Sequence, residues 1–339
     1  MHPEMIREYI KKVGTGPLGA RDLTRSEAGD AARLILSGAA TSAQIGALLL
    51  GLRLKGETAE EMGGFLDALG DALTLRPATR FDLDVGDPYD GKKRSASLVV
   101  PAAIAASGTG LRIVLHGLPK VPVKQGPGVL DDWKALGRSP SRLPVPKIPD
   151  AEGAALCLSQ ESFLPELARL LPLRQELGLR TLWNTVEKCV NPLGAAAQII
   201  GIFHEPIIDK LRHALDRNGA APSRRILFVC GAEGGVDLHP HRATFCHLLD
   251  PALGPEIHPV TIPPPAGSAG PLPPPGDPLF LRDIANDPSH PLALHLKRQA
   301  ALFLFASGKS TSFSEAEERL AEAPSDGSAP SPPPFRSLP

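Results

Sequence analysis

Between residues 92 and 147 the chain carries ten cationic side chains: Lys92, Lys93, Arg94, Arg112, Lys120, Lys124, Lys134, Arg138, Arg142 and Lys147. Only two carboxylates, Asp131 and Asp132, oppose them. A local surplus of eight positive charges is chemistry for an anion, because ammonium and guanidinium groups neutralise phosphates. The surplus is local. The 339-residue chain has a net charge of −1 and residues 1–80 balance, so a protein basic over its whole surface is excluded. A second polar run, ILFVCGAEGGVDLHPHR at 226–242, places Glu233 and Asp237 after an apolar stretch, with His239 and His241 close behind. Carboxylates so sparse would hold Mg²⁺ only weakly, since that ion asks for an octahedral set of hard oxygens. No further ligand completes a zinc pattern around the two histidines. Cys157, Cys189, Cys230 and Cys246 lack paired spacing and have mostly apolar neighbours, which reads as buried reduced thiols.

The elements that must position these groups are legible from spacing. Thr24 with Glu27, Thr41 with Gln44 and Thr58 with Glu61 each match the capping box, in which a hydroxyl and a carboxylate or amide three residues on satisfy orphan N–H groups. Each precedes apolar residues at helical spacing, and Gly38, Gly56 and Gly70 stand as helix stops. Residues 1–75 therefore read as a small helical domain, joined by helices near 163–188. Beyond about residue 80 the period changes. Apolar runs at 112–115, 154–158, 199–203 and 226–230 read as buried strands, separated by helix candidates at 98–107, 128–137 and 205–217. That alternation predicts an α/β domain over 76–162 and 189–322, a mostly parallel sheet covered by helices. Loops at 84–91, 116–126 and 231–239 should then gather at the carboxyl edge of the sheet, where ligands bind in such folds. A final helix pair is expected at 291–307 and 313–322, the second opened by Ser312 and Glu315. The proline-rich run 262–278 reads as an exposed extended loop, and 323–339 as a disordered tail.

Residues 81–126 also carry a resemblance. The chain reads FDLDVGDPYDG, then KKRSASLVVPAAIAASGTG, then LRIVLHGLPKVPVKQG. This layout resembles the anthranilate phosphoribosyltransferase family, glycosyl transferase family 3. There an Asp-x-x-Gly-Thr-Gly-Gly-Asp-Gly loop, an Asn-Ile-Ser-Thr turn and a Lys-His-Gly-Asn loop surround phosphoribosyl pyrophosphate. Asp84, Gly86, Asp90, Gly91, His116 and Gly117 keep that frame, while Asp87, Pro88 and Tyr89 replace the run of backbone donors. Proline has no N–H and tyrosine puts a large side chain where close approach is needed. Leu115 and Leu118 stand at the family's Lys and Asn, and the adjacent carboxylates of its Asp-Gly-Leu-Asp-Glu strand end are reduced to Asp237 beside Val236 and Leu238. The resemblance extends over nearly all of residues 1–320. It is most specific at 21–69 and in LGLRTLWNTVEKCVNPLG at 177–194, where Arg180 falls on the arginine that contacts anthranilate. The Thr-Val-Glu-Lys run at 185–188 is similar to the family's non-biosynthetic branch, some of whose members bind nucleic acid.

The resemblance implies a nucleoside phosphorylase/phosphoribosyltransferase-like fold, a homodimer formed through the N-terminal helices, and two alternative activities. In the first, the phosphoribosyl pyrophosphate site has decayed and the dimer binds nucleic acid, single-stranded by expectation. Lys92, Lys93, Arg94, Lys120, Lys124, Arg138 and Arg142 would contact phosphates, with Trp133 the single aromatic available nearby for stacking. In the second, the protein transfers a phosphoribosyl or glycosyl group to a small anionic or aromatic acceptor. Gly86, Asp90, Gly91, Ser97, His116, Gly117 and Lys124 would then hold phosphate, Arg180 the acceptor, and Glu233 or Asp237 a Mg²⁺ ion. No cofactor is implied outside that second case. A cleft blocked by Pro88, Tyr89 and Leu118 but flanked by lysines favours the first. A polar pocket gathering Ser97, His116, Lys124 and Asp237 around one point favours the second. With no run of about twenty apolar residues and no cleavable signal, the expected location is the cytoplasm and no membrane partner is expected.

Overall fold

A computed structural model describes residues 4–16, 18–73, 80–145, 153–216, 224–266 and 270–322. Four helices open the chain: α1 (Met5–Gly14), α2 (Arg25–Leu36), α3 (Ser42–Lys55) and α4 (Ala59–Ala72). All three capping boxes form, with side chain and backbone bonded reciprocally at Thr24 and Glu27, Thr41 and Gln44, and Thr58 and Glu61. Such a cap contributes about 1 kcal/mol. The stops at Gly38 and Gly56 lie just past α2 and α3, both at positive φ. Gly70 does not stop its helix, because α4 runs on to Ala72. A glycine inside a helix costs only about 1 kcal/mol, which tertiary packing outweighs.

The larger body alternates strand and helix: β1 (Leu83–Gly86), α5 (Val99–Ser107), β2 (Arg112–Gly117), α6 (Val129–Ala135), β3 (Ala154–Ser159), α7 (Gln160–Phe163), α8 (Pro165–Ala168), α9 (Leu171–Leu177), α10 (Leu182–Val186), β4 (Ala197–Gly201), α11 (Ile207–Leu215) and β5 (Arg225–Cys230). Then come β6 (Thr244–Leu249), β7 (Ile257–Ile262), α12 (Pro278–Asn286), α13 (Ala293–Ser307) and α14 (Phe313–Glu322). The seven strands form one sheet in the order β3-β2-β1-β4-β5-β6-β7. The first five are mutually parallel, and β6 and β7 add on antiparallel. Central strands are buried on both faces, as expected of a sheet covered twice, with Asp84, His116 and Gln198 as polar exceptions. On β5, Ile226 and Phe228 face the core shared with the N-terminal helices, while Leu227 and Val229 face α5 and α13. Trp183 of α10 packs on Phe65 of α4 with ring centroids 4.6 Å apart, tying the 163–188 segment to the small helical domain.

Three strands and one helix escape the sequence reading; β1 lies where the sequence predicts the 84–91 loop to begin. β6 and β7 show no clean alternation, and β7 holds Pro259, which an edge strand tolerates because its missing N–H costs no inner ladder bond. α12 begins with Asp277 capping the N–H groups of Leu279 and Phe280, with Pro278 in its first turn, inside what reads as the end of a proline-rich loop. That loop is not simply exposed. Pro273 accepts a hydrogen bond from the Ala96 N–H at 2.7 Å and Leu272 is half-buried. α14 opens as expected, with Ser312 Oγ accepting from the Glu315 N–H. Lys147, residues 267–269 and the 323–339 tail lie outside the described residues. No helix among those described is long and apolar enough to cross a membrane.

Candidate functional site

Parallel β1, β2, β4 and β5 bring the loops that follow them to one carboxyl edge. The loops at 87–98, 118–128 and 231–238 meet there and close on one another. Gly91 has φ +70, and a Cβ on it would lie 2.3 Å from the Gly126 carbonyl oxygen. A Cβ on Gly126 would lie 1.8 Å from the Lys92 oxygen. Glycine is required at both positions because backbone packs directly on backbone.

Three separate polar groups occupy this edge. At the base, Lys92 is 3% exposed and its Nζ sits 2.8 Å from Asp237 Oδ2. It also donates to the Ala232 carbonyl at 2.6 Å. Asp237 receives the Ser97 hydroxyl at 3.0 Å and the Leu98 N–H at 2.7 Å, and Asp87 receives the Val236 N–H at 2.8 Å. Burial works against the charge on Lys92, but Asp237 and Asp87 outweigh it and hold its pKa above the ordinary value. Burial raises the pKa of Asp87, partly offset by Lys92, and pushes Asp132 up to about 8 with Asp237 adding to the effect.

Above this base, Glu233 adopts φ 56, uncommon for a residue with a side chain. Its carboxylate accepts the N–H groups of Lys93 at 3.0 Å, Arg94 at 2.9 Å and Ser95 at 3.4 Å. Burial raises its pKa, but these donors prevail and hold it below the ordinary carboxylate range. Lys124 Nζ donates to the carbonyls of Gly91 at 2.7 Å and Glu233 at 3.2 Å, and lies 3.5 Å from Asp90. Burial pulls its pKa down. Arg180 donates to Asp90 Oδ2 at 2.6 Å.

The third group is enclosed. His116 Nε2 faces Asp84 at 3.2 Å, its Nδ1 bonds the Tyr89 hydroxyl, and Gln198 donates to Asp84 at 2.8 Å. Tyr89 packs with Leu118, Val121 and Ala168 in a small apolar cluster. Burial lifts the Tyr89 hydroxyl well above its ordinary pKa.

Several expected roles are corrected by these positions. Gly86 lies inside β1, where a Cβ would be 2.1 Å from the Lys188 carbonyl oxygen, so its amide does not front an open loop. His116 is fully buried, and Gly117 backs onto Val129. Ser97, His116 and Lys124 do not converge on Asp237: the Ser97 hydroxyl alone bonds it, while His116 and Lys124 belong to the other two groups. Lys92 and Lys124, expected on an open surface, are turned inward. Arg138 is half-buried over Trp133, 5.3 Å from its ring centroid, and Trp133 is itself buried with its N–H on the Ser139 carbonyl. Trp133 is therefore not open to a base. Lys93, Arg94, Lys120 and Arg142 are exposed and form no ion pair among the described residues. Sequence reasoning missed Asp87, Asp132 and Lys188, all buried, because nothing local marks a charged residue for burial. It also missed Phe203, 56% exposed at the end of β4.

A three-layered α/β body with a helical bundle at its N-terminus and loops gathered at the ends of parallel strands defines a glycosyl-transferase class of fold. The description "glycosyl transferase family, helical bundle domain" matches residues 7–72. An anthranilate phosphoribosyltransferase of Halorubrum lacusprofundi is 33% identical over 76% of this chain and 68% of its own. An uncharacterized protein of Aquifex aeolicus is 31% identical over 71% of this chain and 73% of its own. The anthranilate phosphoribosyltransferase of Saccharomyces cerevisiae in complex with PRPP and Mg superposes with a TM-score of 0.72 at 18% identity, covering 94% of both chains. The chain belongs to the anthranilate phosphoribosyltransferase family.

The edge groups of this chain do not fit Mg²⁺. Among the described residues no cluster of three His, Cys, Asp or Glu side chains could hold a metal ion. Asp237 is taken by an ammonium, a hydroxyl and an amide, and Glu233 by three amides. His239 Nε2 sits 3.0 Å from Arg242.

Proposed function

We propose that this protein is a family member without phosphoribosyl transfer, and that it binds single-stranded nucleic acid as a homodimer. One observation carries the reading: the Lys92 ammonium lies buried against Asp237, beside Asp87, so the chain's own cation neutralises the carboxylates at the sheet edge. A metal would have to displace a buried, hydrogen-bonded charge, and breaking such a pair costs about 3–5 kcal/mol. Tyr89, Leu118, Val121 and Ala168 pack as an apolar cluster among the loops of the same edge. This packing supports the blocked arrangement over the converged polar pocket. Lys93, Arg94, Lys120 and Arg142 remain facing water, and solvated cations of this kind bind phosphates with little sequence preference and strong salt dependence.

The test is fluorescence anisotropy of a labelled single-stranded oligonucleotide titrated at several salt concentrations. Binding should weaken log-linearly with salt, with a slope of about −2 to −3 per protomer if all four cations engage. The Lys93→Ala, Arg94→Ala double variant should lower affinity for all sequences alike and flatten that slope. Salt-independent binding, or an unchanged slope in the variant, would remove these residues from the interface. Calorimetry with phosphoribosyl pyrophosphate and Mg²⁺ should show no saturable heat. Micromolar binding there would return the transferase reading.

A further inference from the structure

We propose that Phe203 and Phe245 are stacking platforms for two bases of the single strand, a proposal that rests on the nucleic-acid reading above. Each ring is 56% exposed. Both stand at the carboxyl edge of the sheet. Phe245 pairs in register with Cys230, the last residue of β5, and its side chain points the same way as that of His247 two residues on. His247 Nε2 lies 2.7 Å from Glu205, which follows Phe203 by two residues, so the turn after β4 sits over the face that Phe245 presents. β4 and β6 are separated by β5, which puts the two strands about 10 Å apart.

Phe203 is packed on part of its ring and exposed on the rest. Its ring meets His204 edge-on at 4.6 Å, and a Cβ on Gly234 would lie 2.8 Å from it. Arg180 stands 5.9 Å from its centroid with its charge committed to Asp90. Gly234 follows Glu233, whose carboxylate anchors the backbone of Lys93 and Arg94. An aromatic face and unpaired cations thus share one edge. This pairing suits a strand whose phosphates and bases alternate, because every base offers a π-face and stacking tolerates any sequence. Charge complementarity selects a polyanion over an apolar partner protein for the same surface.

The experiment compares two probes of equal length: a thymidine oligonucleotide and an abasic phosphodiester strand that keeps charge and loses bases. Phe203→Ala and Phe245→Ala should each weaken thymidine binding roughly tenfold, the order expected for one stacked base. Both should leave abasic binding within about twofold, a change under 0.5 kcal/mol. Phe203→Trp should restore thymidine binding and have its indole emission quenched on complex formation. Circular dichroism and thermal melting check that the variants fold. Equal losses on both probes, or no loss on thymidine, would overturn stacking while leaving phosphate binding intact. Failure of the unaltered protein to bind either probe would overturn both the stacking sites and the nucleic-acid reading.

Discussion

Lys92 and Lys93 are neighbours in sequence with opposite fates. Lys92 is buried against Asp237, while Lys93 reaches solvent and lends only its backbone N–H to Glu233. Buried charge has a consequence at Asp132, whose pKa rises to about 8 through burial and the nearby Asp237. In the unfolded chain an aspartate titrates near its ordinary value, about 4. The folded form keeps the proton longer, so the stability this group contributes is full below about pH 4 and is lost as pH rises through about 8. Asp132→Asn removes the titration. The variant should gain on the parent in melting temperature progressively between pH 5 and 8, then level off. A difference that stays flat across that range would show that Asp132 is not held protonated in the fold.

At the scale of elements, the capping boxes are where sequence and structure agree most closely, because every bond involved is local. Thr58 and Glu61 go further than a cap. Glu61 is fully buried and also accepts the Leu23 N–H and the Lys55 ammonium, each at 2.9 Å. Thr58→Ala should cost about 1 kcal/mol in urea unfolding, the loss of one cap. Glu61→Ala leaves the buried Leu23 N–H without its acceptor and the Lys55 ammonium with Asp22 as its remaining carboxylate, and should cost about 2–3 kcal/mol. Equal costs would mean that Glu61 does no more than complete its box. Other elements were less legible for physical reasons. β6 and β7 depend on pairing across the sheet edge rather than on their own periodicity, and Pro259 disguises an edge strand. Gly70 reads as a stop but continues a helix whose packing decides the outcome.

At the scale of the molecule, α3 presents Ala43, Ala47, Leu50 and Leu54 to solvent, a stripe at spacings of four and three along one helix face. Leu50 is 42% and Leu54 77% exposed, and Leu179 adds to the apolar surface at 41%. Such a seam fits the homodimer proposed above, since an uncovered stripe of this spacing is what paired helices bury. Leu50→Glu with Leu54→Glu should convert the protein to a folded monomer in light scattering and weaken oligonucleotide binding by halving the charges that act together. A parent protein that runs as a monomer at micromolar concentration would discard the dimer.

Local and periodic features are legible in the chain itself: the three capped helices, the strands read at 112–115, 154–158 and 226–230, and the family frame of Asp84, Gly86, Asp90, Gly91, His116 and Gly117. The sequence also held the surplus of charge between 92 and 147. Tertiary structure alone decided what that charge can do. The partner of Lys92 lies 145 residues away, and only the sheet order that sets β1 two strands from β5 brings them together. The same closure sends Lys124 inward and leaves Lys93, Arg94, Lys120 and Arg142 in water. A charge count cannot distinguish these lysines, because burial and pairing belong to the folded neighbourhood and not to the residue.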